Sequence, residues 1–494
     1  MIISILLLAF PQQQVDTLVQ SDPRPFDNYG NAVAIDGDVA VIGASTKTFA
    51  GLNYAGAVYV YRRVGGVWSE EAKLTAPVPE IHDNFGTAVA IDGDVIVVGA
   101  PDFPVSFFNG TGRAWVFRRI AGTWTLEQEL VPSMASGDGA SGRAVAIEGN
   151  TIVVTTGSLP LFSPRIVVTY EHNGTQWVET DSFTSPVGMT FATEIRLHGD
   201  RLAIDSPDET ENGIPEVGAV YLYERQGGVW NQIRRFSSPL PSDGEWFGSG
   251  FDFENDLFVA GAANANFHGA VGAGVLYAFR ESGGIWQLEA EIESSLPAGG
   301  AGLGSVVDVD GGRILSSSPS TSSGSAIHSG AGHLYRQTTP GQWDGGEPIY
   351  PQDGTPWMAF GLTSGMSGDT LLFSAYDDEI HVFSPTGGFR LNGPAPFSQL
   401  KADDFNTLRV TGGTPQQATW LAVSLTGFGT TPVVPLGVTL DLASPSPLGG
   451  VVMTDGSGRA EWTFFVPSAA EDLSAWWQGV QSGQTSSGLG TFVK

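Results

Sequence analysis

Sorted by the alternation of apolar and polar positions, the chain breaks into short runs rich in Val, Ile, Tyr and Trp, with turn signals between them and no sustained helical period. One stretch shows the pattern: Ala88–Ile91, Val95–Gly99, Arg113–Arg118 and Trp124–Leu130 are four predicted strands in succession. Asp92-Gly93 separates the first two, and glycine pairs such as Gly65-Gly66, Gly227-Gly228 and Gly283-Gly284 separate the last two in sister stretches. Glycine adopts the positive φ that two-residue hairpins need, so both positions predict tight antiparallel turns. Val95-Ile96-Val97-Val98 is apolar without a break, as expected of a strand covered on both faces.

The pattern recurs seven times. Its pivotal glycine is Gly30, Gly86, Gly142, Gly248, Gly304 and Gly361, with Ala192 in fourth place, at intervals of 56, 56, 50, 56, 56 and 57 residues. A tryptophan follows in phase at Trp68, Trp124, Trp177, Trp230, Trp286 and Trp343. Such a period marks a unit that cannot bury its faces alone and stacks on its neighbours. Four short antiparallel strands per unit make the sheet of a propeller blade. Radial sheets crowd at the axis and splay at the rim. The small-residue first strand, as in Gly30–Ala34, is therefore predicted innermost and the tryptophan-led fourth strand outermost. The predicted fold class is all-β: a seven-bladed β-propeller of four-stranded antiparallel blades, followed by a small C-terminal β-sandwich-like domain.

Phe85-Gly86 at the start of a unit and Gly99-Ala100-Pro101 after its second strand resemble the FG-GAP repeat, found in the β-propeller of integrin α subunits and in many bacterial surface proteins. The likeness covers about residues 12–389. It is clear in units one, two and five and departs at Thr156-Gly157-Ser158 and Asp205-Ser206-Pro207. The family often binds calcium in a long Asp- and Asn-rich loop between its first two strands. Here Asp36-Gly37-Asp38 and Asp92-Gly93-Asp94 are bare turns, too short to surround an ion that takes six to eight oxygens. They read as turn formers, and neither a metal nor another cofactor is expected.

The phase also predicts how the ring closes. Leu18, in Val15-Asp16-Thr17-Leu18-Val19, falls where a fourth strand should precede Gly30, while unit seven ends near His381-Val382-Phe383 without its tryptophan. An N-terminal strand completing the last blade would remove two exposed edges. The rival candidate, Phe389-Arg390-Leu391, is short and runs toward Pro394. The expected organisation is a signal-peptide-like segment at 1–11, the propeller at 12–389, and a domain of short strands at 390–494. In the last of these, Thr454–Gly458 with Trp462 resembles a lone sialidase Asp-box and reads as a hairpin turn.

Composition narrows the partners. Acidic residues number 52 against 23 basic, for a net charge of −29. That field repels phosphate backbones and anionic membranes, so no nucleic-acid partner is expected. Cysteine is absent, which excludes disulfides, thiolate metal sites and cysteine nucleophiles. Met1–Phe10 is apolar, but ten helical residues reach only about 15 Å, half a bilayer core, so no membrane span is expected. The run resembles the apolar region of a secretory signal, though no Lys or Arg precedes it and no clean Ala-x-Ala site follows. Secretion or a place at the cell envelope is the expectation.

No reaction centre stands out. The seven histidines form no His-Glu-x-x-His, and there is no Gly-x-Ser-x-Gly elbow or phosphate loop. Gly299–Gly304 precedes a strand, which rules out a dinucleotide fingerprint. The densest acidic group is Asp205, Asp208, Glu209, Glu211 and Glu216, read as a solvated loop. Variation lies instead in the connections from second to third strands, such as Ser45–Tyr54, Asp102–Thr111, Pro207–Glu216, Ala263–Gly272 and Ser320–Gly330, and in the loops between blades. All should emerge on one face, the ligand face in the resembling family. The candidate ligand-binding residues are Phe103, Phe107, Phe108, Trp246, Phe267 and Trp357, exposed aromatics on a rigid scaffold. The expected function is a non-catalytic binding or adhesion protein for an extracellular protein or glycan. The alternatives are a glycan-acting hydrolase or lyase, which requires carboxylates converging on the central channel, and a structural surface component.

Overall fold

The computed structural model describes residues 12–385 apart from 102–111, 134–140, 158–164, 185–190, 268, 295–297, 323–327 and 352–357, and beyond 389 the strands between Arg390 and Val493. Gln14–Ser384 forms one compact unit of seven antiparallel sheets. Blade 1 runs through Tyr29–Asp36, Val39–Ala44, Ala57–Val64 and Val67–Leu74. Blade 2 follows with Ala88–Asp92, Val95–Ala100, Arg113–Ile120 and Thr123–Leu130. Blades 3, 4 and 5 begin at Val145, Ile195 and Phe247, and blades 6 and 7 at Val307 and Ser364. The first strands pack on one another from blade to blade, and that of blade 7 meets that of blade 1. The small-residue strand is therefore the innermost, as the residue sizes require.

The glycines of the repeat have a steric reason. Gly43, Gly99 and Gly261 are the next-to-last residues of the second strands of blades 1, 2 and 5. A Cβ there would stand 2.1, 1.9 and 2.1 Å from the carbonyl oxygens of Gly86, Gly142 and Gly304, the pivots of the following blades. Neighbouring blades thus touch backbone to backbone. In blades 3, 4 and 7 the same place holds Thr155, Asp205 and Ser374, whose side chains accept N–H groups just ahead of their own first strands, from Ala144 at 3.0 Å, Thr193 at 2.7 Å and Thr363 at 3.0 Å.

The turn carboxylates also join blades. Asp36 accepts the Gly93 N–H at 2.7 Å, Glu148 that of Gly199 at 2.6 Å and Asp310 that of Gly368 at 2.6 Å, while Asp92 and Glu254 serve Gly149 and Gly312. The Ser367 hydroxyl takes the Gly37 N–H at 2.9 Å and completes the circuit. Asp36 and Asp92, expected as turn formers, thus also each satisfy a donor one blade on, whereas Asp38 pairs with Arg63 of its own blade. The exception is the junction of blades 4 and 5, where His198 stands in the acid position. At the rim Trp124 is buried and donates to Glu71 of blade 1 at 2.9 Å, and Glu71 also binds Arg119 at 2.6 Å.

Blade 7 supplies Ser364–Ser367, Thr370–Ser374 and Ile380–Pro385, and its fourth strand is Gln12–Leu18. Leu18 is buried in one cluster with Leu372, Ile380 and Val382 of blade 7 and Tyr29 and Tyr59 of blade 1. Just beyond it lies Lys47, 1 % exposed, which donates to Gln20 at 3.0 Å and the Asp22 carbonyl at 2.7 Å and pairs with Asp27 at 2.6 Å. The rival closing segment goes elsewhere: Arg390–Asn392 pairs with Asp404–Thr411.

The remaining strands belong to a second unit. Asp404–Thr411 also pairs with Ala460–Val466, and Ala418–Ser424 lies between Ser446–Met453 and Ser474–Gln481, all antiparallel. Thr454–Gly458 lies outside the described residues.

Candidate functional site

Four residues after each pivot, the inner strands carry Ala34, Ala90 and Ala146 in blades 1 to 3, then Arg196, Asp252 and Asp308 in blades 4 to 6, and Gly365 in blade 7. Half of the central channel is therefore lined by small apolar groups and half by charge. Arg196 reaches Asp308 at 3.9 Å, two blades away, a contact that only the central axis permits. It stands 2.5 Å from Glu194 and 3.9 Å from Asp252. Asp252 in turn accepts the Val309 N–H at 2.7 Å and lies 3.3 Å from His198 Nε2, and Asp308 bonds the Ser364 hydroxyl of blade 7. Three carboxylates and a histidine surround one guanidinium.

Such crowding shifts protonation. Burial, with the charges of Asp205, Asp308 and Asp252, raises Glu194 to about 7 against the pull of Arg196. Burial and Asp252 likewise raise Asp308 to about 6, although Arg196 and Ser364 oppose the shift. Burial disfavours a charged His198, yet the hydrogen bond and charge of Asp252 outweigh it and raise its pKa. Between its ordinary value of 4.5 and about 7, Glu194 is protonated in the folded chain and ionised in the unfolded one. The folded state then binds more protons, so its stability falls as pH rises through that window. Glu194→Gln is expected to flatten this decline, read as a smaller loss of Tm than the parent shows between pH 5 and pH 8.

The acidic loop of blade 4 is not a solvated cluster. Asp205 is buried, 2 % exposed, and binds the Thr193 and Glu194 N–H groups and the Thr193 hydroxyl. Glu209 and Glu211 both pair with Arg235, at 2.8 and 3.0 Å. Glu216 accepts the Trp246 indole N–H at 3.2 Å.

Of the aromatic candidates, Trp246 is where the sequence placed it, on the loop entering blade 5 and 44 % exposed. Its φ is +56°. Phe267 packs partly buried against the blade 5 core. Phe103, Phe107, Phe108 and Trp357 lie outside the described residues. The same face exposes aromatics that the sequence reading did not single out: Phe26, Tyr376, and Tyr54, which stacks on His82 at 4.7 Å. The group Asp377, Glu379 and His381 has possible metal-ligand atoms within 4.8 Å of one another. Hydrogen bonds account for much of that approach, since Asp377 binds His381 Nε2 at 3.0 Å and the Glu379 N–H at 3.1 Å.

Comparison with known proteins agrees with the repeat geometry. The FG-GAP repeat family model matches residues 13–61 and 68–117. No curated protein matches the chain in sequence. Among solved structures the chain is similar to PorZ, a bacterial surface component of the type-IX secretion system of Porphyromonas gingivalis, at 11% identity and a TM-score of 0.47, covering 97% of this chain and 61% of that one. It is also similar to the β-propeller domain of the Trilobed protease from Pyrococcus furiosus, at 8% identity and 0.42, over 76% of this chain and 97% of that one. A third is the acylaminoacyl peptidase of Pyrococcus horikoshii, at 11% identity and 0.40, over 78% and 58%. The chain thus spans less than two thirds of the length of PorZ and of that peptidase. The chain thus carries FG-GAP repeats in its first two units, joins its blades through paired glycines, and folds as a seven-bladed β-propeller.

Proposed function

We propose that this is a secreted or cell-surface binding protein that holds an extracellular glycan or protein on its loop face without turning it over. Trp246 carries the reading. Two residues before the pivot, the chain takes a left-handed conformation in all five blades where that place is described, and it is held by Asn28, Asn84, Gly302 and Ala359 in four of them. Asn and Gly suit that conformation; a bulky aromatic there is strained by about 1–3 kcal/mol. The indole offsets none of that strain by full burial, since it is half exposed beside Glu216. An exposed aromatic held at a conformational cost is suited to anchoring a ligand. The apolar run Met1–Phe10 supports export. The test is binding of the purified protein to glycan arrays and envelope extracts. Trp246→Ala is expected to weaken binding about 10- to 100-fold, the range of a binding hot spot, with no loss of Tm. Unchanged affinity would remove Trp246 from the site.

A second reading, hydrolysis or elimination on an extracellular glycan, is favoured by the channel. Three carboxylates converge there, and Glu194 near 7 and Asp308 near 6 fall in the range useful for general acid catalysis. Turnover of a polysaccharide, abolished by Glu194→Gln or Asp308→Asn, would establish it in place of the first.

A further inference from the structure

At the rim the indoles stand beside cations. Trp124 donates its Nε1–H to Glu71 Oε2 at 2.9 Å, and the other oxygen of that carboxylate holds Arg119 at 2.6 Å. Trp177 repeats the arrangement one blade on. Its Nε1–H reaches Glu127 Oε2 at 3.4 Å, while Glu127 Oε1 takes Arg118 at 3.0 Å and stands 3.5 Å from His172. At Trp68, Trp230 and Trp286 a guanidinium lies over the ring itself, from Arg63 at 5.2 Å, Arg225 at 5.6 Å and Arg201 at 5.8 Å. These three arginines also pair with Asp38, Asp200 and Glu281. Indole, carboxylate and cation recur as a trio because the face of the ring and the carboxylate attract the same positive group.

Trp246 has two members of the trio and lacks the third. Its Nε1–H donates to Glu216 Oε2 at 3.2 Å, as at Trp124 and Trp177. Among the described residues nothing bonds Glu216 Oε1 and no cation lies over the Trp246 ring. Arg235 of blade 4 is held by Glu209 and Glu211. Glu216 and Trp246 are both exposed and both left-handed, at φ +51° and +56°. The Trp246 N–H donates to the Glu216 carbonyl at 3.2 Å, which fixes the pair through its backbone. The equivalent hydrogen bond joins Tyr54 to Asn84, Gly272 to Gly302 and His328 to Ala359 at other junctions. Of these, the junction of blades 4 and 5 sets an acid against an aromatic. Two such side chains, strained side by side in solvent, point to a role beyond packing.

We propose that Trp246 and Glu216 form the seat for an arginine side chain on a basic segment of a partner protein. This rests on the reading of Trp246 as the ligand anchor and names the group that it anchors. A guanidinium is a planar fork of donors that stacks on an indole and bonds a carboxylate at the same time, whereas an ammonium is a strongly hydrated point charge. The chain's own rim agrees, since arginines fill the place at Trp68, Trp124, Trp230 and Trp286. An amino-sugar polymer offers only ammonium groups, which favours a protein segment. The net charge of −29 draws a basic segment to the surface and repels an acidic one.

Calorimetry with the full chain tests this, using a capped Gly/Ser peptide with three arginines, its citrulline and lysine counterparts, and tri-glucosamine as probes. Citrulline keeps the planar shape of arginine and removes the charge. The arginine peptide is expected to bind with an affinity that falls with salt, about 10-fold tighter than the citrulline peptide and tighter than the lysine peptide. Glu216→Gln, which keeps an acceptor for the indole, should lower that affinity about 10-fold. Asp94→Asn removes the same charge from an exposed turn on the opposite face and should lower it less than about 2-fold. Circular dichroism and Tm of Glu216→Gln should match the parent, since the side chain is exposed. The indole N–H signal of Trp246 in NMR, assigned by its loss in Trp246→Phe, should shift as the arginine peptide is added. A neutral glycan whose binding is lost in Trp246→Ala but kept in Glu216→Gln would leave the aromatic anchor standing and overturn this seat alone. No binding of the arginine peptide by the parent, equal affinity for the citrulline or lysine peptide, unchanged affinity in Glu216→Gln, or a preference for tri-glucosamine would each overturn it as well.

Discussion

Deleting residues 12–20 should cost the propeller more than any single core substitution and leave it prone to associate. The segment carries the fourth strand of blade 7, and with it goes Leu18, buried between blades 7 and 1. Losing such a leucine alone is worth about 2–5 kcal/mol. Gln20 goes as well, one of the oxygens that hold the buried Lys47. Lys47 then keeps Asp27 and the Asp22 carbonyl but is pulled toward solvent, which weakens a fully enclosed ion pair. The third strand, Ile380–Pro385, becomes an unpaired edge and a template for other chains. The expected outcome is a Tm lower by more than about 5 °C, following the usual scaling of stability with temperature for a large domain, and a concentration-dependent shift to oligomers in gel filtration. A deletion as stable and monomeric as the parent would show that another segment closes the ring.

Gly99→Val is the second large effect, and it probes the contact that makes the repeat what it is. A Cβ at Gly99 would stand 1.9 Å from the Gly142 carbonyl oxygen and 2.8 Å from its carbon, all of it backbone. Nothing flexible can give way, so blades 2 and 3 must part. That places the substitution in the exceptional class of more than about 4 kcal/mol. Gly93→Ala is the control. Gly93 sits in a turn at φ +56° with open space around it, so alanine there pays only for the left-handed conformation, about 1 kcal/mol. Urea midpoints of the two variants should differ severalfold in their displacement from the parent. Equal displacements would mean that the glycine serves the turn chemistry of its own blade and not the junction.

The site was less legible than the fold, for a reason visible in single residues. Trp246 could be found because exposed aromatics on variable loops are recognisable one at a time; its strained φ could not. Arg196, Asp252 and Asp308 did leave a signal. Each stands four residues after its pivot, where the first three blades have alanine. The signal appears only when the units are compared column by column, and the acidic loop at Asp205–Glu216 drew attention instead. There, local density misled: Asp205 is buried under its own first strand and Arg235 neutralises Glu209 and Glu211. Charges far apart in sequence became neighbours, and charges close in sequence were already satisfied.

By itself the sequence determined the number of blades, their strands, the hairpin turns and the phase of the closing strand. These follow from local periodicity: alternation, glycine spacing and residue size are written along the chain at fixed intervals. Tertiary structure alone decided which glycines meet backbone to backbone across blades, that the turn carboxylates serve donors in the next blade, and that Glu194, Arg196, Asp252 and Asp308 converge. Closing a ring brings residues separated by whole repeats to one axis, and the energies that matter there are sums over neighbours from several blades. A charge in one column of one repeat has no meaning until the ring sets it opposite the others.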